Sequence, residues 1–90
     1  MLEINDEEKQ CYINNNPISL SKTEYSLLNF FLNNTNKVFS REDLISLIWK
    51  KEVSIRVVDV AISRLRKKIG KYGENLVCKS GFGYIYYEKL

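Results

Sequence analysis

Residues 56–70 read RVVDVAISRLRKKIG. At 100° per residue, Val58, Ile62, Leu65 and Ile69 fall on one narrow stripe, and Arg56, Val60, Ser63 and Lys67 fall on the side opposite. The spacing predicts a helix with one face committed to a core and a basic face turned outward. Lys67 and Lys68 in the last turn complement the negative end of the helix dipole, and Gly70 stands where a left-handed residue closes a helix.

Upstream, two capping signals announce two more helices. Ser40-Arg41-Glu42-Asp43 puts a cap at Ser40 and a carboxylate at the third helical position, ahead of Leu44, Ile45, Leu47, Ile48 and Trp49. Ser21 with Glu24 forms the same pattern, Leu20 serving as the staple, so a helix is expected from Lys22 to about Asn33. Tyr25, Leu28, Phe31 and Leu32 lie on it at helical spacing and read as core. The segment KKEVSI, 50–55, then links the second and third helices, as the turn of a helix-turn-helix would, and is longer than the simplest version of about 3 to 4 residues. Downstream, KYGEN supplies a turn, and Leu76–Lys79 and Tyr84–Tyr87 flank SGFG as a β-hairpin. Tyr86 and Tyr87 must point to opposite faces of it.

Before the first helix, Leu2–Asn5, Gln10–Ile13 and Ile18–Leu20 read as three short antiparallel strands separated by DEEK and NNNP. The alternation of Leu2 with Ile4, and of Cys11 with Ile13, gives this sheet one buried face. The expected organisation is therefore one domain over 1–90, with an N-terminal sheet (1–20), a three-helix core (21–72) and a hairpin (73–90). Ninety residues suffice for one small core that buries roughly 60% of the unfolded surface.

The net charge of +3 conceals a division. Residues 1–48 carry four basic and seven acidic side chains, a net −3; residues 49–90 carry ten and four, a net +6. Concentrating positive charge in the half that contains the basic helix points to a polyanionic partner. A core-anchored helix with a basic outer face suggests a reader of nucleic acid.

Other classes find little support. No apolar run is long enough to cross a bilayer, and MLEINDEEKQ lacks the layout of a secretory signal. Such a start is expected either to begin structure directly or to follow another domain. With no histidine and only Cys11 and Cys78, no metal or cofactor is expected, and both thiols read as free, small apolar residues of a reducing cytoplasm. No glycine-rich phosphate loop and no nucleophile beside an activator is present, so no enzymatic role is expected; Asp59 reads as a structural ion-pairing carboxylate.

Three blocks, LSKTEYSLLNFFLNNTNKVFSREDLISLIW, VVDVAISRLRKKIG and GFGYIY, together resemble the C-terminal DNA-binding effector domains of OmpR/PhoB-type two-component response regulators, in order and spacing. The resemblance covers most of the chain from Leu20 onward. It implies an α+β winged helix-turn-helix fold with a short N-terminal antiparallel sheet, three helices and a C-terminal hairpin wing. The third helix would enter the major groove of duplex DNA and the wing would approach the minor groove. Position by position, Arg64 matches a recognition-helix arginine that approaches bases, Val60 an apolar residue beside a thymine methyl, and Arg56, Ser63 and Arg66 positions that meet phosphate or bases. Trp49 and the loop after it match the region that faces RNA polymerase in family members that activate transcription. Where the family often has threonine, an apolar residue and arginine before the first wing glycine, this chain has Cys78, Lys79 and Ser80, and Ile85 stands where arginine is common.

Chemistry separates reading from positioning. An arginine fork can pair with guanine O6 and N7, a valine can only touch a thymine methyl, and lysine or serine suits phosphate. Arg64 is the expected reader; Lys67, Ser63, Lys50, Lys51 and Lys79 are expected to position; for Arg66, which lies nearer the flank with Asp59, the alternative is an intrahelical or surface ion pair. Tyr84 is a candidate contact at the wing, though an aromatic in such a hairpin is more commonly core. The expected partner is double-stranded promoter DNA, in direct repeats for members that dimerise through a receiver domain, with RNA polymerase and a receiver domain as further partners and no membrane. The isolated domain is expected to be a monomer. The competing expectation is a winged helix that binds an acidic protein.

Overall fold

The computed structural model describes residues 1–89. Both capping boxes form. Ser21 Oγ accepts from the Glu24 backbone N–H at 3.2 Å while Glu24 Oε1 accepts from the Ser21 N–H at 2.8 Å, opening α1 over Lys22–Leu32. The Ser40 and Asp43 side chains do the same for α2, Arg41–Leu44. Each box satisfies backbone donors that the helix itself leaves orphaned.

Three strands precede α1: β1 (Leu2–Asn5), β2 (Gln10–Ile13) and β3 (Asn16–Ile18), antiparallel in that order. The third strand lies earlier than the expected Ile18–Leu20. Asn14 and Asn15 both take positive φ, 50° and 69°, a two-residue turn that pairs Ile13 with Asn16 and Cys11 with Ile18. Pro17 thereby enters β3, an edge strand, where its missing N–H costs no ladder bond.

α2 was expected to run as one helix to Trp49. Its second half, Ile45–Trp49, is instead a π-helical turn that closes with the Lys50 N–H on the Ile45 carbonyl, Lys50 being left-handed at φ 57°. Ile45, Ile48 and Trp49 all reach the core margin this way, and Leu47 is left exposed. Residues 51–54 lead into α3, Ile55–Lys68. Its stripe is fully buried: Val58, Ile62, Leu65 and the following Ile69 are each at most 1% exposed, packed on Leu27, Leu28 and Phe31 of α1 and on Leu44. Burying each such side chain contributes roughly 1.5–3 kcal/mol, which makes this seam the main source of stability. Gly70 closes the helix at φ 60°, and Gly70–Asn75 continues as a 3-10 helix where a turn was expected, so the division drawn at residue 72 cuts through a helical segment.

The hairpin gains a third strand. β4 (Val38–Phe39), β5 (Leu76–Lys79) and β6 (Gly83–Tyr86) form a second antiparallel sheet in the order β4-β6-β5. β6 is central, paired on both edges, and all four of its residues are buried, while Tyr87 beyond it is half-buried. Ile85, in the position where an arginine was expected from the family, pairs with Val38 and Val77 and is 5% exposed. Gly83 passes close to β4: at φ 135°, a Cβ added there would lie 2.0 Å from the Phe39 carbonyl oxygen. Gly81, at φ 83°, faces open space.

Gly83→Ala should therefore cost more than about 3 kcal/mol or prevent folding, whereas Gly81→Ala should cost only about 1 kcal/mol for its left-handed backbone. Denaturant unfolding of the two variants checks this; equal losses would contradict the close approach of β6 to β4.

Candidate nucleic-acid interface

With its apolar stripe spent on the core, α3 presents the rest of its surface outward. Arg56, Ser63, Arg64, Arg66 and Lys67 are all exposed, and Val60 is 39% exposed among them. Arg56, Val60 and Arg64 line one flank, an open groove of about 420 Å³ shared with Trp49, Ser54 and the first turn of α1. Ser63, Arg66 and Lys67 line the other flank beside Gly70 and Gly73. The helix thus carries two cationic edges, with Val60 exposed among them and Ile55 and Val57 exposed nearer its start.

Arg66 does not pair with Asp59. Its Nε donates to the Gly73 carbonyl at 3.2 Å. Asp59 Oδ1 is occupied by Arg41 Nε at 2.7 Å and by the Tyr84 hydroxyl at 2.6 Å. Asp59 is the structural carboxylate expected, but its partners come from α2 and β6. Burial raises the Asp59 pKa, and the hydrogen bonds from Tyr84 and Arg41 outweigh it, so the net shift is downward. Burial and the bond to Asp59 push Tyr84 up to about 12. Arg41 also lies over the Tyr84 ring, 5.1 Å from its centroid.

That arrangement decides between the two readings of Tyr84, candidate wing contact and core, in favour of the core: it is 6% exposed with its hydroxyl donated inward. The lysines separate too. Lys79, at the end of β5, is exposed, its ammonium 5.6 Å from the Tyr87 ring centre, and Lys51 is exposed in the loop before α3. Lys50 instead lines a groove with Lys22, Tyr25 and Leu47, away from the α3 flanks. Lys68 is used internally, its Nζ meeting Glu24 Oε1 at 2.7 Å. Glu24 is 4% exposed, and although burial raises its pKa, the bonds from Lys68 and Ser21 hold it below the usual range.

Two residues escaped the sequence reading. Arg41 carried only a helix-start signal, because its partners lie 18 and 43 positions away. Phe82 was hidden in SGFG, whose glycines signalled a turn; it is 73% exposed at the hairpin tip. Of the cysteines, Cys11 is buried as expected, but Cys78 is exposed, with an Arg41 Nη2 3.8 Å from its sulfur.

Residues 15–86 match the family described as "Transcriptional regulatory protein, C terminal". The chain belongs to that family. It is 40% identical over 75 residues to the phosphate regulon transcriptional regulatory protein PhoB of Pseudomonas aeruginosa, covering 80% of this chain and 33% of that protein. Among solved structures, the DNA-binding domain of the response regulator AdeR superposes with a TM-score of 0.89 at 30% identity, covering 98% of this chain and 95% of that one. The response regulator DrrB of Thermotoga maritima, an OmpR/PhoB homologue, superposes with a TM-score of 0.87 at 32% identity, covering 96% and 41%. These findings bear out the OmpR/PhoB resemblance and the winged-helix fold. The chain spans about a third of the length of the curated relatives it matches. Among the described residues, no helix of this family member is long and apolar enough to cross a membrane.

The Tyr84–Asp59 bond has a pH signature. A tyrosine whose pKa is raised on folding contributes stability that is complete below its unfolded value of about 10 and lost as pH rises through about 12. Asp59, lowered on folding, contributes above the ordinary carboxylate range and loses that contribution as pH falls through its folded value. In an ultraviolet titration of tyrosinate, Tyr84→Phe should remove one late-ionising group, and it should cost about 1 kcal/mol of stability at neutral pH. Removal of an early-ionising group instead would show that Tyr84 is not held by Asp59.

Proposed function

We propose that this chain binds double-stranded DNA sequence-specifically in transcriptional control, as the effector domain of a response regulator in the cytoplasm. The observation that carries the proposal is the outer surface of α3, where five exposed polar or cationic side chains surround Val60 while the opposite stripe is buried. AdeR, similar over nearly its whole domain, is described in complex with an intercistronic region, which supports the same partner here. Arg64 reads base edges, Val60 meets a thymine methyl, Arg56, Ser63, Arg66 and Lys67 hold phosphates of the same groove, and Lys51 and Lys79 hold phosphates on either side. Target sites are promoter elements, arranged as direct repeats when a receiver domain pairs two copies. The region around Trp49 and Lys50 faces RNA polymerase.

Selection of bound duplexes from a random pool at about 0.15 M salt, which screens weak surface charge, should return a short motif. On that motif, Arg64→Ala should lose most of the discrimination at one base pair, about 1–3 kcal/mol. Lys67→Ala should weaken binding to all sequences alike and lower the salt slope by about one. Equal losses from Arg64→Ala on selected and random duplexes would remove its reading role. If no motif emerged and binding vanished with salt, α3 would be a basic surface only, and an acidic protein would become the partner to seek.

A further inference from the structure

The end of the wing has the wrong chemistry for a purely electrostatic contact. Ile85 is turned into the sheet, Lys79 folds its ammonium toward Tyr87, and no arginine lies between Lys79 and Tyr87. What projects is Phe82, 73% exposed, the largest side chain so exposed among the described residues. It sits in a tight turn closed by its own N–H on the Lys79 carbonyl at 2.9 Å, between Gly81 at φ 83° and Gly83 at φ 135°. Neighbours without side chains leave the ring uncovered on both sides. Behind it the hairpin is fixed, because β6 is the central strand of its sheet and Tyr84 is tied to α3 through Asp59. A phenylalanine held at the tip of a braced hairpin is a wedge rather than a loose hydrophobe.

We propose that Phe82 is an apolar wedge that enters the minor groove of the bound duplex and partly unstacks one base step, bending the DNA. This rests on the DNA-binding reading above and deepens it. The occupant is the duplex drawn to the adjoining basic helix: residues 73–90 carry Lys79 and Lys89 against Glu74 and Glu88 and are themselves neutral, whereas Arg56, Arg64 and Lys67 are exposed on α3, to which the hairpin is tied through Tyr84 and Asp59. Apolar side chains inserted between base steps kink a duplex by roughly 20–90°, and the cost is lowest at flexible pyrimidine–purine steps. Phe82 therefore adds a sequence preference through deformability, at a step that no side chain of α3 reads.

The test uses the duplex selected by the unaltered chain, with a fluorescent donor and acceptor at its ends and 2-aminopurine placed in turn at each step flanking the α3 motif. The unaltered chain should shorten the end-to-end distance and raise 2-aminopurine emission at one step. Phe82→Leu should retain both signals. Phe82→Ala, exposed and therefore folded as judged by circular dichroism, should lose both and bind about 10-fold more weakly. Phe82→Arg should recover affinity with a steeper salt dependence and without the emission change. A Phe82→Ala variant that binds and bends the duplex like the unaltered chain overturns the wedge while leaving DNA binding intact. If the unaltered chain binds the duplex without bending it or unstacking any step, the wedge is likewise overturned. A chain that selects no duplex overturns the DNA-binding reading, and the wedge with it.

Discussion

One carboxylate oxygen, Asp59 Oδ1, receives both Arg41 from the start of α2 and the Tyr84 hydroxyl from β6. Three elements distant in sequence meet there, on the flank of α3 between its buried stripe and its outer face. The side chain is 42% exposed, so its ion pair is worth little as stability, on the order of 0.2–1 kcal/mol against several kcal/mol for the α3 seam. Its value is geometric. A charge-assisted bond to a tyrosine in the central wing strand fixes the angle between wing and α3, which a non-directional apolar contact could not do.

A second tie acts at the other end. Lys68, in the last turn of α3, meets Glu24, which is also the capping carboxylate of α1. One buried glutamate thus starts one helix and pins the end of another. Glu24 takes Lys68 from the basic half of the chain and Asp59 takes Arg41 from the acidic half, which leaves Arg56, Arg64 and Lys67 on the exposed surface. The protein divides its positive charge between internal orientation and an outward face.

The wing follows from the same economy of contacts. β4 has only two residues, yet by pairing with β6 it makes the strand that follows the tip central, and that strand is wholly buried. That burial consumes Tyr84, Ile85 and Tyr86, and what remains for a partner at this end of the molecule is Lys79 and Phe82. Ile85, where the resemblance led an arginine to be expected, suits this packing, since it pairs with Val38 and Val77.

Local signals determined a good deal. The capping boxes at Ser21 and Ser40 set helix starts because a cap satisfies donors within three residues, and the 58-62-65-69 stripe set the buried face of α3 because helical periodicity is a property of the segment itself. The outer set from Arg56 to Lys67 followed from that stripe by exclusion. Elsewhere the sequence was silent or misleading. Val38–Phe39 carries no signal of its own as a strand, since a two-residue strand exists only by pairing with residues some 46 positions away. The π-helical turn after Leu44 arises where the core accepts Ile45, Ile48 and Trp49 together. Tyr84 read as core more readily than as a wing contact, but alternation could not reveal that Ile85 beside it is buried as well. An ion pair for Arg66 was sought on its own helix flank, near Asp59, and Asp59 is instead taken by Arg41 and Tyr84. Helical spacing reveals which residues share a face; only the packed chain decides which residue from another element arrives there first.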